Sequence, residues 1–191
     1  MEITLIRHGK SLWVENKPIT CQEFKNWVEK YDCHGVFEEK TYPPNTLEKL
    51  DQATMIVTSD LKRAIESANY LNPHLPTISD PIFREIELPT PLAKFGGLKL
   101  HANIWAVMLR VLWFCGYTRG CESLKDATKR AEKAATFLIQ CANEHHYVVL
   151  VGHGFFNNLI GKQFKKLEWK GRHQTSSAHW AATTYSFNQH V

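Results

Sequence analysis

Glu2-Ile3-Thr4-Leu5-Ile6-Arg7-His8-Gly9, at the start of the chain, is a short apolar strand that ends on arginine, histidine and glycine. The same arrangement returns much later, where the apolar residues 147–151 lead into Gly152-His153-Gly154. In an open α/β sheet the ends of parallel strands gather around one crevice, and ligands bind there. A histidine at such a position can be a nucleophile, a general base, a metal ligand or an anion donor. The repeat therefore predicts a ligand site around His8 and His153.

Segments with strand character alternate with segments with helix character along the rest of the chain. Besides the two strands above, the apolar and β-branched residues predict strands over 55–58, 77–78 and 178–187. Apolar residues at helical spacing predict helices over 21–30, 46–50, 61–70, 103–115, 123–143 and 154–164. Thr20 and Glu23 predict a capping box before the first of these helices. Thr46 and Ser59-Asp60 are predicted to cap the second and third helices, and Ser123 to start the fifth. The alternation predicts an α/β fold, a three-layer α/β/α sandwich with a mostly parallel central sheet.

A length of 191 residues suits a single domain, residues 1–191, with its own core. Prolines and glycines concentrate in residues 83–97, and we expect residues 81–121 to form a lid or insertion. Within it, residues 103–115 are nearly apolar all round, which favours a buried helix. A pocket lid or the face of a homodimer are the alternatives for this helix.

Composition narrows the classes of function. The chain is 43% hydrophobic and 22% charged, as in a soluble globular protein, and no apolar run approaches the ~20 residues that span a bilayer. No export signal is visible at the N-terminus, and the five scattered cysteines suit reduced thiols. We therefore expect no membrane association and a cytoplasmic location.

The net charge and the spacing of possible metal ligands narrow the classes of function further. The net charge of +4 favours anionic partners, but no dense basic stripe interleaved with aromatic residues predicts nucleic acid. Cys33-His34 and His145-His146 lack the paired spacing of a zinc site, so neither a metal nor another cofactor is expected. Apart from His8 and His153, the histidines show no pattern of partners.

Two arginines are predicted to join the two histidines. Arg7 ends the first strand, and Arg63 lies one turn into the helix that follows residues 55–58. If these strands are parallel neighbours, the four side chains meet at one edge of the sheet. Two guanidiniums suit a tetrahedral dianion, because each directs paired N–H groups at its oxygens, and helix N-termini add further donors. If a neutral histidine attacks the phosphorus of a bound phosphate ester, a carboxylic acid is needed to protonate the alcohol that leaves. Glu85 and Glu87 are the candidates for this acid.

Five segments carry a family resemblance: Leu5-Ile6-Arg7-His8-Gly9-Lys10-Ser11, Ser59-Asp60-Leu61-Lys62-Arg63-Ala64 with Ala68, Phe83-Arg84-Glu85, Glu122-Ser123 with Arg130, and Val151-Gly152-His153-Gly154. In this order and over nearly the whole chain, they resemble the motifs of the histidine phosphatase superfamily, the phosphoglycerate mutase-like phosphatases. The resemblance implies a phosphoglycerate mutase-like fold and metal-independent hydrolysis of a small phosphorylated metabolite through a phosphohistidine.

The resemblance also implies roles for individual residues. His8 would be the phosphorylated nucleophile, and Glu85 the acid, with Glu87 as the alternative. The phosphoryl group would be held by Arg7, Ser11, Arg63 and His153, together with His8 itself.

Two positions depart from the family pattern, and two other activities stay open. Lys10 stands where the family commonly has Glu or Gln, and Val14 stands where it commonly has a phosphate-contacting asparagine. A mutase-type phosphoryl transfer is one alternative activity. A non-catalytic module that binds a phosphorylated ligand is the other.

Overall fold

The computed structural model describes residues 1–90 and 97–188, so part of the predicted lid, residues 91–96, lies outside the described residues. Its strands are β1 (Glu2–Arg7), β2 (Ile19–Thr20), β3 (Met55–Thr58), β4 (Thr77–Ser79), β5 (Lys99–Leu100), β6 (Tyr147–Gly152), β7 (Lys170–Gly171) and β8 (Ala182–Ser186). Its helices are α1 (Cys21–Cys33), α2 (Pro44–Gln52), α3 (Lys62–Leu71), α4 (Ala102–Phe114), α5 (Leu124–His145) and α6 (Gly154–Lys166). All the predicted strands and helices are present, together with three two-residue strands that the sequence did not predict, β2, β5 and β7.

The main sheet of the described residues has the strand order β4-β3-β6-β1-β8-β7. The four strands from β4 to β1 are parallel, whereas β8 runs antiparallel to β1 and β7 antiparallel to β8. Arg7, the last residue of β1, lies beside Gly152, the last residue of β6. The ends of β1, β3 and β6 are therefore level at one edge, which brings together the residues that follow them, His8, Ser59 and His153.

Side chains of the central strands alternate between two apolar clusters, one on each face of the sheet. In β1, Ile3 and Leu5 pack with residues of α5 and α6, while Ile6 packs with residues of α2 and α3. Successive side chains of a strand point to opposite faces, so a strand that is covered on both sides is apolar throughout. The mostly parallel three-layer sandwich predicted from the sequence is confirmed.

Two helix starts that the sequence marks form as expected. The Thr20 hydroxyl accepts a hydrogen bond from the Glu23 N–H at 3.3 Å, and the Glu23 carboxylate accepts one from the Thr20 N–H at 2.7 Å. This reciprocal pair is a capping box, and α1 begins directly after Thr20. Ser123 caps α5 by accepting from the Asp126 N–H at 3.2 Å.

Two predicted elements begin two or more residues away from the predicted start. The helix predicted over 46–50 begins at Pro44, because proline fits the first turn of a helix, and the Thr46 hydroxyl donates to the Trp180 carbonyl at 2.6 Å instead of capping. The strand predicted over 178–187 forms only as β8. Trp180, just before β8, has a φ of 64°, so the chain turns there instead of continuing as a strand.

Helix α4 is buried on one face only, which corrects the expectation of a helix buried all round. Trp105, Leu109 and Trp113 lie in the interior. The opposite face is exposed and apolar, and it carries Ile104, Val107, Val111 and Phe114. Within residues 1–90 and 97–188, no helix is long and apolar enough to cross a membrane.

Candidate active site

His8 and His153 meet at the edge where β1 and β6 end. Their ring centroids are 5.0 Å apart with an interplanar angle of 61°, and the two side chains are 3% and 1% exposed. The His8 backbone N–H donates to the Gly152 carbonyl at 2.9 Å, which continues the pairing of the strands past their ends. The parallel pairing of distant segments thus positions both imidazoles together.

The His8 ring has one nitrogen free for chemistry. Its Nδ1 lies 2.7 Å from the Gly9 carbonyl oxygen. A carbonyl only accepts, so Nδ1 carries the proton and Nε2 keeps its lone pair. Burial, and after it the Arg63 guanidinium, holds the pKa of His8 well below its usual value, although the Gly9 contact acts in the opposite direction. His8 is therefore a neutral imidazole at neutral pH, the form in which it is a nucleophile.

His153 has the opposite hydrogen bonding. Its Nε2 is paired with the Ser59 hydroxyl at 2.7 Å, while Nδ1 is buried without a partner in the described part of the chain. Burial, the His8 ring and the Arg63 guanidinium all hold the pKa of His153 well below its usual value. The sequence assigned Ser59 to capping the helix after β3. The structure corrects this: Leu61 occupies the cap position of α3, and the Ser59 hydroxyl is hydrogen-bonded to His153 Nε2.

Arg63 is a buried cation held from two sides. Its Nη1 donates to the Asp32 carboxylate at 2.6 Å, and its guanidinium lies 4.8 Å over the Tyr31 ring. The side chain is 4% exposed, and Nε has no hydrogen-bond partner among residues 1–90 and 97–188. A buried donor that lacks a partner is costly, so this N–H suits an oxyanion.

Arg7 is anchored in a similar way at the end of β1. Its Nη1 donates to the Ser177 carbonyl, and its buried Nε is without a partner within the described residues. The side chain packs against the first residue of α6, where a Cβ on Gly154 would lie 3.3 Å from Arg7 Cδ. Both guanidiniums act on His8, since each lowers the pKa of its ring. Within the described residues, Arg7, Arg63 and His153 thus each have one unpaired buried nitrogen, and all three residues act on the His8 ring or contact it.

Glu85 lies at the N-terminus of α6. Its carboxylate accepts from the backbone N–H groups of Phe155 at 3.0 Å and Phe156 at 2.9 Å, as well as from that of Ile86 at 2.9 Å. A helix N-terminus favours a negative side chain, and this one begins directly after His153. Glu87 is exposed two residues further on. The structure therefore holds Glu85 at the first turn of the helix that follows His153 and leaves Glu87 at the surface.

Arg130 supports the segment that carries Glu85. Its Nη1 donates to the carbonyls of Ile82 at 2.7 Å and Arg84 at 2.8 Å, and its guanidinium also pairs with Glu122. Glu122 and Arg130 were part of the family resemblance without an assigned role. Their position shows one, because Glu122 holds the Arg130 guanidinium and Arg130 binds the carbonyls on both sides of Phe83, two residues before Glu85.

Ser11 lies in the loop after His8. It is buried, and its hydroxyl accepts from the Trp13 N–H at 3.1 Å. Its backbone pairs with that of Val36 in an isolated bridge. These contacts hold the loop, and the hydroxyl proton stays available to donate. Lys10 and Val14, which depart from the family pattern, are both exposed.

Sequence reasoning missed a third histidine at this edge. His179 Nδ1 donates to the His8 carbonyl at 2.8 Å, and the two rings lie 5.5 Å apart. The neighbouring Trp180 packs on Gly9, where any Cβ would lie 2.0 Å from a ring carbon. The signal that would have found them is the antiparallel pairing of β8 with β1, because it places residues before β8 beside residues after β1. Asp32 and Tyr31, the partners of Arg63, were missed as well.

No group of three His, Cys, Asp or Glu side chains that would hold a metal ion occurs in the part of the chain that the structure describes.

Comparison with solved structures shows the same fold in several phosphatases. A mycobacterial glucosyl-3-phosphoglycerate phosphatase in complex with inorganic phosphate superposes with a TM-score of 0.59 at 23% identity, over 96% of this chain and 88% of that one. Mycobacterial hydrolase 1 gives 0.57 at 24% identity, over 87% and 79% of the two chains. The α-ribazole phosphatase of Shigella flexneri gives 0.52 at 15% identity, over 99% and 92%.

Comparison at the level of sequence identifies the family. No curated protein matches the chain. A family model, the histidine phosphatase superfamily (branch 1), matches residues 45–190, a range that contains Arg63, Glu85 and His153. Arg7 and His8 precede that range and are tied to it by the parallel pairing of β1 with β6. The chain therefore belongs to the histidine phosphatase superfamily.

Proposed function

We propose that the protein is a phosphomonoesterase that hydrolyses a small phosphorylated metabolite through a phosphohistidine at His8. One observation carries the proposal: the neutral His8 ring has a free Nε2, and Arg7, Arg63 and His153 beside it each have a buried nitrogen that finds no partner in residues 1–90 and 97–188. A phosphoryl group would pair with all three donors while its phosphorus faces a nucleophile. The family membership supports a phosphatase of this kind.

The first half of the reaction transfers the phosphoryl group to the enzyme. His8 Nε2 forms a bond to phosphorus as the bond from phosphorus to the leaving oxygen breaks. Glu85, whose carboxylate must first bind a proton, gives that proton to the leaving oxygen. Arg7, Arg63 and His153 stabilise the charge that spreads over the three remaining oxygens. The Ser11 hydroxyl, in the loop that follows His8, would donate a further hydrogen bond to the phosphoryl group.

The second half releases phosphate. The Glu85 carboxylate removes a proton from a water molecule as its oxygen bonds to phosphorus, and the bond to His8 Nε2 breaks. The products are inorganic phosphate and the original protonated Glu85 with neutral His8. Positive charge at the phosphoryl group comes from two guanidiniums, so the mechanism needs no metal ion.

The depth of the site supports a small substrate. Both imidazoles are nearly inaccessible, at 3% and 1% exposure, and a phosphate ester must reach into the edge of the sheet to touch them. A folded protein surface would carry its phosphorylated side chain there only with difficulty.

Two measurements test the proposal. The wild type should hydrolyse p-nitrophenyl phosphate in the presence of EDTA, and His8→Ala should not, while His74→Ala at an exposed position should behave as the wild type. Rapid acid-free quenching should trap an acid-labile phosphate on the wild type and none on His8→Ala. Tight binding of phosphate without turnover of any phosphomonoester would instead favour a non-catalytic binding module. An acid-labile phosphate in His8→Ala would refute the nucleophile.

A further inference from the structure

Beside the site described above, α4 and the segment after Glu85 line an open cavity of about 340 Å³ at the surface. This volume falls at the lower end of the ~300–1,000 Å³ that small-molecule sites occupy. Its walls are apolar except for one guanidinium, and they are formed by Leu88, Ala106, Val107, Arg110, Val111 and Phe114.

Contacts through Phe155 connect this cavity to Glu85. The Phe155 N–H donates to the Glu85 carboxylate at 3.0 Å, and the Phe155 ring lies 5.6 Å from the ring of Phe114, in the cavity wall. The Arg110 guanidinium stacks 4.7 Å over the same Phe155 ring, and it donates to the carbonyl of Ile86, the residue after Glu85, at 2.7 Å. Phe155 and Ile86, whose backbone N–H groups hold the Glu85 carboxylate, therefore contact residues that line the cavity.

Arg110 gives the cavity a charge that its surroundings do not fully satisfy. Its Nη1 is buried and has no hydrogen-bond partner in the described residues. Burial lowers the pKa of Arg110, and the Glu85 carboxylate acts in the opposite direction. The guanidinium still stays charged at any ordinary pH. A buried cationic donor without a partner pairs favourably with an anionic oxygen.

We propose that this cavity binds the leaving group of the substrate, and that the leaving group has an apolar body and a carboxylate that pairs with Arg110. The inference rests on the proposed function. An acid that protonates the leaving oxygen must lie within hydrogen-bond distance of it, so the rest of the alcohol extends past Glu85. On that side the described residues offer apolar walls and the unpaired cationic donor of Arg110.

A matched pair of substrates tests the charge. Phosphorylated 4-hydroxyphenylpropanoate and its methylamide have leaving groups of the same acidity but differ by one carboxylate. The wild type should prefer the carboxylate by about tenfold or more in kcat/KM, because a charge-assisted pair is lost in the amide. Arg110→Gln keeps a donor for the Ile86 carbonyl and removes the charge, and it should abolish this preference. Ile104→Gln, exposed on α4 outside the cavity, is the matched control and should keep it.

A second variant tests the cavity itself. Val107 is 65% exposed at its rim, so Val107→Trp should fold and partly fill it. The ratio of kcat/KM for an aryl phosphate to that for methyl phosphate should fall by about tenfold. If hydrolysis depends on His8 but the carboxylate preference is the same in the wild type and Arg110→Gln, the inference is overturned and the proposed function stands. If no phosphomonoester is hydrolysed, both are overturned.

Discussion

His8 and His153 are alike in position and opposite in hydrogen bonding. Both follow a parallel strand, both are buried, and burial lowers the pKa of each. In His8 the Nδ1 atom is committed to the Gly9 carbonyl and Nε2 is free, whereas in His153 the Nε2 atom is committed to Ser59 and Nδ1 is unpaired. The difference teaches that the partner of one ring nitrogen decides what the other can do, even where backbone position and burial are the same.

Alanine in place of each imidazole should separate the two roles most strongly. His8→Ala should lower kcat by at least about 10⁴-fold, because it removes the proposed nucleophile. His153→Ala removes a group proposed only to stabilise charge and should lower kcat by about 10²–10³-fold. Steady-state kinetics with an aryl phosphate, together with circular dichroism to verify folding, measure both. Equal losses would mean that the two rings share one role.

The effect of replacing Glu85, at the start of the helix that follows His153, should depend on how readily the leaving group departs without a proton. Glu85→Gln should slow hydrolysis of an alkyl phosphate by about 10²–10⁴-fold, because a poor leaving group needs its proton. The variant should slow p-nitrophenyl phosphate much less, since nitrophenolate leaves without one. Glu87→Gln is the matched control, two residues away and exposed. The same loss for both substrates would move the acid role elsewhere, first to Glu87.

Ser59→Ala tests whether its hydroxyl sets the role of His153. The change leaves the buried Nε2 atom without its partner at 2.7 Å, and kcat/KM should fall by about tenfold. Ser59→Thr keeps the hydroxyl and should restore most of the activity. A fall in thermal stability with unchanged kcat/KM would show that the contact serves the fold alone.

Substitutions of His179, whose Nδ1 donates to the His8 carbonyl, should have a smaller effect on activity. Asparagine can present an amide donor where His179 Nδ1 meets the His8 carbonyl, whereas glutamine places its amide near the position of Nε2. If His179 acts by holding that carbonyl, His179→Asn should retain activity within about twofold and His179→Gln should lose about fivefold, mainly in kcat. The reverse order of the two variants would assign the role to Nε2.

Acid should destabilise the folded protein through the same two rings. An unfolded histidine titrates near pH 6.5, while burial keeps the pKa of both folded rings lower, so below pH 6.5 the unfolded state binds more protons. The contribution of the two rings to the free energy of unfolding is therefore at its maximum above pH 6.5. It should fall by up to about 1.4 kcal/mol per pH unit for each ring as the pH drops. Urea unfolding between pH 7.5 and 5.5 measures this, and the double alanine variant should show a shallower dependence.

The sequence predicted elements well where a local pattern carries the cause. The capping box of Thr20 and Glu23 and the Ser123 cap lie within one helical turn, and both form. It failed at Ser59, which has the residue type and position of a cap but lies on His153, 94 residues away in the chain. It failed similarly at α4, because an apolar sequence does not tell which face a neighbour covers.

The sequence by itself determined the order of strands and helices, the helix caps at Thr20 and Ser123, and the arginines and histidines at the strand ends. These features depend on hydrogen bonds within one turn and on the periodicity of apolar residues, which are local in the chain. The tertiary structure alone decided that Asp32 and Tyr31 hold Arg63, that His179 meets the His8 carbonyl, and which nitrogen of each imidazole is free. These partners come from separate segments. Only the register of the sheet, set by packing on both of its faces, brings them within hydrogen-bond distance.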